Sequence, residues 1–219
     1  MSVRTVPAPP QSAVLAHVPV PHSVACSVTV LPAVTDITPK TFLPSSRSVA
    51  FRKTAWAAIG GYPEWLDYCE DVIFDLELYK RYGPFHFAPR ALVYFRPRSN
   101  MQSFFTQYYR YARGDGKADL WPKRHAIRYL TYLLAFPALV FLSARSSPWW
   151  LIGLLAGGIA YTRQPYRRLV KMLRDLTWNQ KLYAIALVPT IRLMGDVAKM
   201  LGYPAGWMWR LRHRRERTK

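Results

Sequence analysis

Glu70 and Asp71 are adjacent acids whose type and setting could do chemistry. They follow Gly60-Gly61-Tyr62-Pro63-Glu64-Trp65-Leu66-Asp67-Tyr68-Cys69, which puts a turn and an aromatic wall immediately before them. Glycine permits positive φ, and proline fixes its own φ and biases its predecessor, so Gly60 to Pro63 predicts a turn. Val72, Ile73, Leu76 and Tyr79 then recur at helical spacing and Gly83-Pro84 supplies a stop, which predicts an amphipathic helix with both acids in its first turn. Unpaired backbone N–H groups and the helix macrodipole favour ionised carboxylates there. Such a carboxylate at the lip of a cleft can take a proton from a substrate hydroxyl, although acids at helix starts commonly do no more than stabilise the helix.

Gln107 and Arg110 are the second candidate group. They fall on a predicted helix from Met101 to Arg113, beside an aromatic stripe of Phe104, Phe105, Tyr108 and Tyr109. Three residues apart, they share one face, and Tyr111 lies four after Gln107. A guanidinium can hold diphosphate oxygens bidentately and an amide can orient a sugar hydroxyl. The same pair is also an ordinary solvated helix face. Gly114-Asp115-Gly116-Lys117 reads as a flexible loop and lacks the spacing of a phosphate-binding loop.

Four segments must position these groups. Residues 1–44 read as a poorly ordered, proline-rich arm with one short strand between Ser23 and Val34. Residues 45–120 hold the candidate site, with short strands expected at Val49 to Arg52, Phe85 to Ala88 and Ala91 to Phe95. Residues 126–162 predict a membrane hairpin: Ala126 to Ala144 is long enough to cross about 30 Å of hydrocarbon with a kink at Pro137, and Trp149 to Tyr161 returns. Gly153 and Gly157 form a small-residue pattern suited to close helix approach in lipid. Residues 166–219 predict interfacial helices and a basic tail: a basic surface helix at Leu169 to Trp178, then an interfacial or re-entrant one at Leu182 to Met200.

Composition agrees with a membrane-associated chain: 51% hydrophobic and 15% aromatic residues, a formal charge of +19, and 31 Lys and Arg against 12 Asp and Glu. An anionic partner is expected. The cations flank apolar runs instead of forming one stripe, which argues against nucleic acid and puts both hairpin flanks in the cytoplasm. Cys26 and Cys69 match no metal or redox spacing, and the proline-rich opening is neither a secretory signal nor a spanning helix.

Ser48-Val49-Ala50-Phe51-Arg52-Lys53, the Gly60 to Pro63 turn, Glu70-Asp71 and Gln107-Tyr108-Tyr109-Arg110-Tyr111 together resemble family 2 glycosyltransferases, over roughly residues 45 to 210. The resemblance implies an α/β fragment of a nucleotide-diphosphosugar transferase (GT-A-like) fold, followed by an α-helical membrane hairpin and amphipathic helices. By it Asp71 is the catalytic base, and Glu70, Gln107, Arg110 and Tyr111 bind substrate, Tyr111 standing where the family usually has Trp. The implied donor is a nucleoside-diphosphate sugar, and the acceptor a glycolipid, a lipid-linked glycan or a polysaccharide. The family's Asp-x-Asp motif, which holds a divalent cation (Mg or Mn), occurs nowhere in this sequence. The chain therefore reads as the acceptor half of a multi-pass cell-membrane enzyme with its catalytic part cytoplasmic. It binds no metal itself and is inactive alone, its donor half missing or supplied by a separate chain. The rival reading is a non-catalytic membrane subunit that binds anionic lipid and a partner.

Overall fold

Helices carry nearly everything in the computed structural model, which describes residues 20–30, 37–38, 42–45, 49–88, 98 and 100–213. They are α1 (Val20–Val30), α2 (Lys53–Ala58), α3 (Glu70–Tyr82), α4 (Met101–Ala118), α5 (Pro122–Tyr129), a π-helical segment (Leu130–Ala135), α6 (Phe136–Arg145), α7 (Trp150–Met172), a 3-10 turn (Leu173–Asp175) and α8 (Trp178–Arg212).

No strand forms among the described residues, which corrects the α/β expectation. The run expected as a strand near Val24 is α1. Its Val24, Ala25, Cys26 and Val28 are buried in the core formed with Phe104, Leu169, Ala184, Val188 and Ile191, so tertiary packing overrides the β-propensity of valine. Arg52 is extended (φ −75°, ψ 139°), but Val49 to Arg52 has no neighbouring strand among the described residues to complete a ladder. Phe85 to Ala88 is likewise irregular, and Ala91 to Phe95 lies outside the described residues.

The centre of the molecule is α4 against α8. Helix α4 starts where Asn100 Oδ1 accepts the Ser103 N–H at 2.8 Å, and it runs five residues beyond the expected Arg113. The expected loop Gly114 to Lys117 is thus helix, and its glycines serve close approach instead of flexibility. A Cβ on Gly116 would meet the Trp207 nitrogen at 2.8 Å, and one on Gly206 would meet the Lys117 nitrogen at 2.8 Å. Along this seam the two helices pack backbone to backbone. In the hairpin, by contrast, a Cβ on Gly153 would make an ordinary 3.4 Å contact with Leu139 and one on Gly157 would meet nothing within 4 Å. The close approach expected there lies at α4–α8.

Helix α8 is one continuous element of 35 residues with Pro189 and Pro204 inside it, so neither expected helix at Leu169 to Trp178 and Leu182 to Met200 stands as drawn. Its start is a capping box in which the Thr177 N–H donates to Gln180 Oε1 at 3.0 Å.

From Pro122 to Arg145 the chain is unbroken helix, and it is the one helix among the described residues long and apolar enough to cross a membrane. None of its apolar window is buried against the rest of the chain, and Ile127, Leu133, Leu134 and Phe141 point outward. A soluble core helix would cover these side chains. The π-helical segment ends just before Pro137, where the ring lacks the N–H that a regular ladder needs. Helix α7 returns beside α6 after the Ser146 to Trp149 turn, with Leu151, Ile152, Leu155 and Ile159 exposed.

Candidate functional site

The Gly60-Gly61 turn forms as expected, with φ of 81° and 76°, and a Cβ on Gly61 would strike the Trp56 ring at 2.6 Å. The helix that follows presents a different face from the one its spacing suggests. Phe74, Asp75 and Leu78 are buried, whereas Tyr79 is exposed. Phe74 stacks on Tyr62 (4.2 Å between centroids) and tilts against Phe51 (4.8 Å), so the turn's own aromatic ring sets the rotation of α3.

Cys69, immediately before α3, is held in the left-handed region (φ 67°), a conformation rare for a non-glycine residue and common at constrained sites. No side chain caps the helix from that position; Asp71 Oδ1 accepts the Val72 N–H at 2.9 Å. The loop Asp67-Tyr68-Cys69 is then tied to α4 residue by residue. Asp67 pairs with Arg113 and, at 2.7 Å, with Lys117. Arg110 Nη1 donates to the Tyr68 hydroxyl at 3.0 Å. The Cys69 thiol points to the Tyr111 carbonyl (3.3 Å) and Asp115 Oδ1 (3.5 Å). Gly114 permits this contact, because a Cβ there would sit 2.5 Å from the Tyr68 carbonyl oxygen.

A cleft of about 390 Å³ opens between this loop and the start of α4, walled by Tyr68, Arg98, Asn100, Gln107, Arg110 and Tyr111 among others. Arg98 Nε donates to Gln107 Oε1 at 3.2 Å, and Gln107 Nε2 donates to the Tyr111 hydroxyl at 2.7 Å. The Tyr68 and Tyr111 rings meet edge to face at 6.1 Å. Three of the five predicted site residues, Gln107, Arg110 and Tyr111, therefore share one wall. Glu70 and Asp71 do not line it; they start α3, two and three residues beyond Tyr68. Both acids are felt nearby: burial, then the charge and hydrogen bond of Asp115, then the charges of Asp71 and Glu70 push the Cys69 thiol up, leaving it neutral. Two guanidiniums, three side-chain amides (Asn100, Gln102 and Gln107) and two phenols make this wall suited to an anionic, hydroxyl-bearing ligand.

Sequence reasoning missed Tyr68 and Arg98, the Asp67 clamp, and Asp75. The last is only 1% exposed, its two oxygens have no hydrogen-bond partner, and burial followed by the charge of Asp71 raises its pKa to about 7. Its signal was present as an acid one turn after Asp71, between Phe74 and Leu78. Asp67 is held below the usual carboxylate range: burial opposes its charge, but the Lys117 hydrogen bond, its own backbone and the charges of Lys117 and Arg113 outweigh that.

Family models, curated proteins and solved structures give no match to this chain. No three His, Cys, Asp or Glu side chains converge to hold a metal among the described residues. Further along α4, Asp115 Oδ2 meets His125 Nε2 (3.2 Å) and His125 Nδ1 meets Arg128 (3.2 Å). Arg128 Nε donates to Asp196 (2.7 Å), whose other oxygen accepts from the Tyr161 hydroxyl (2.5 Å). This polar chain joins the Cys69 loop to α5, α7 and α8.

Proposed function

We propose that the chain is the acceptor-side part of a membrane-anchored, inverting glycosyltransferase acting on a nucleoside-diphosphate sugar and a lipid-linked or polysaccharide acceptor. The observation that carries the reading is the cleft, where Tyr68, Gln107, Arg110 and Tyr111 meet beside a loop that runs directly into Glu70-Asp71. In this mechanism Asp71 accepts the acceptor hydroxyl's proton as that oxygen attacks the anomeric carbon in line. Arg110 and Arg98 offset the charge that grows on the departing diphosphate, and Gln107 orients a sugar hydroxyl. In this reading the helix from Pro122 to Arg145 crosses the bilayer and α7 returns packed against it, which would leave both cation-rich flanks in the cytoplasm. The nucleotide and its Mg or Mn ion sit on another polypeptide segment. The helical architecture favours one second reading, a non-catalytic subunit that presents this cleft to a partner chain.

Membranes from cells expressing the chain, supplied with radiolabelled nucleoside-diphosphate sugars, test the proposal through lipid-extractable label. Asp71→Asn is expected to lower the label by about a hundred- to ten-thousandfold while the variant still inserts. Label that appears and is indifferent to Asp71→Asn removes Asp71 as the base. Membranes that also contain a nucleotide-binding partner yet give no label favour the subunit reading.

A further inference from the structure

A second pocket, sharing no residue with the cleft, lies between the middle of α4 and the last turns of α8. It has a volume of about 490 Å³ and is lined by Asp67, Arg113, Lys117, Trp209, Arg212 and His213 among others. We infer that this pocket binds the phosphate headgroup of an anionic membrane lipid, with the acyl chains lying along the adjoining apolar face of α8.

Position is the first reason. Helix α8 runs antiparallel to α5: Asp196 meets Arg128, the Met200 carbonyl accepts from the Tyr129 hydroxyl at 2.8 Å, Tyr203 stacks on His125 at 3.9 Å, and Arg210 pairs with Asp119 at 2.5 Å. Because the spanning helix begins at Pro122, the turns from Ala205 to His213 stand just outside the point where it enters hydrocarbon. Phosphates lie at that level of a bilayer, and aromatic rings settle there. Trp209 stacks between Trp65 (6.1 Å) and His213 (4.5 Å).

Charge is the second. Arg113, Lys117 and Arg212 oppose a single carboxylate, Asp67. Helix C-termini favour cations, and that accounts for Arg210 and Arg212 at the end of α8. It does not account for Arg113, more than a turn inside α4, whose Nε is buried without a hydrogen-bond partner. A phosphate oxygen satisfies such a donor, and a zwitterionic headgroup brings its own cation against this already cationic pocket. The third is the neighbouring surface: Leu201, Met208 and Leu211 are exposed on the same stretch of α8, which suits acyl chain and not water. The site stands whether or not the chain transfers sugar.

Native mass spectrometry of the full chain in detergent tests this with phosphatidylglycerol and phosphatidylcholine at equal concentration. One phosphatidylglycerol is expected to be retained selectively. Arg212→Gln, at an exposed turn that leaves the Asp67 clamp intact, weakens retention about fivefold, the worth of one cation near a lipid surface. Arg113→Gln with Arg212→Gln weakens it further, and Arg124→Gln, a cation over Trp121 outside the pocket, leaves it unchanged. Equal retention of the two lipids overturns the inference, as does an Arg124→Gln effect as large as that of Arg212→Gln. Displacement of the lipid by millimolar inorganic phosphate also overturns it, because the pocket then recognises free anion and not a lipid.

Discussion

Replacing Gly206 with alanine tests the α4–α8 seam, because the added methyl group has nowhere to go. Its Cβ would stand 2.8 Å from the Lys117 nitrogen and closer still to the Arg113 carbonyl oxygen, both backbone atoms that no rotamer change can move. Restoring an ordinary 3.4 Å separation requires the two helices to part along their length. A gap of about 0.5–1 Å already forfeits a quarter to a half of each dispersion contact across an interface. Against this stands a gain of about 1 kcal/mol, since alanine is the better helix former. Overpacking of this kind costs about 1–3 kcal/mol and more where backbone is struck, so the expected balance is a net loss of about 2 kcal/mol. For a chain of this size that corresponds to a melting temperature lower by about 4–8 °C. Gly157→Ala is the matched control: it lies in α7 with open space around the added methyl and is expected to gain about 0.5–1 kcal/mol. Circular dichroism at 222 nm in one detergent, at one protein-to-detergent ratio, reads both. If the two substitutions shift the midpoint in the same direction, or Gly206→Ala leaves it unmoved, the backbone-to-backbone seam is refuted.

Asp75 predicts a pH dependence. Its folded pKa, about 7, exceeds the ordinary carboxyl value of 3.8, so the native state binds the proton more tightly than the unfolded chain does. Stability from this group is complete below about pH 4 and falls as pH rises to 7, by about 4 kcal/mol in all. Asp75→Asn should flatten that slope in denaturant melts between pH 5 and 8, and an unchanged slope rejects the assignment. Asn100→Ala removes the cap on α4 and is expected to cost about 1 kcal/mol, read as a lower denaturation midpoint; an unmoved midpoint rejects the cap. Asp196→Asn leaves Arg128 without its countercharge beside the apolar hairpin and is expected to cost about 3–5 kcal/mol in thermal melts; a loss below 1 kcal/mol would show that the pair is solvated.

Legibility from sequence followed the range of the physics. Local signals held: the Gly60-Gly61 turn, the acids in the first turn of α3 and the apolar run after Pro122 all depend on neighbours a few residues away. Gln107, Arg110 and Tyr111 were legible as a set because one helix turn brings them together. Long-range packing was not legible. Val24 and Val28 carry a strand composition, and only the facing Val188 and Ile191, some 160 residues later, make them helix. Gly114 and Gly116 look like a hinge until Tyr68, Tyr203 and Trp207 are seen against them. The face of α3 was misjudged because Phe74 is drawn to Tyr62, an attraction across the turn that periodicity within the helix does not contain.

The seam between α4 and α8 also bears on how the protein is made. Helix α4 is complete by Ala118, yet the surface that covers Phe104, Ala112 and Gly116 belongs to α8, which does not begin until Trp178. For the time needed to translate some eighty further residues, the apolar helix from Pro122 to Arg145 among them, α4 waits with a bare glycine-lined flank. A stall or early stop within α8 would therefore strand a nascent chain that is anchored but unfinished at its centre, the form in which quality-control proteases would meet it.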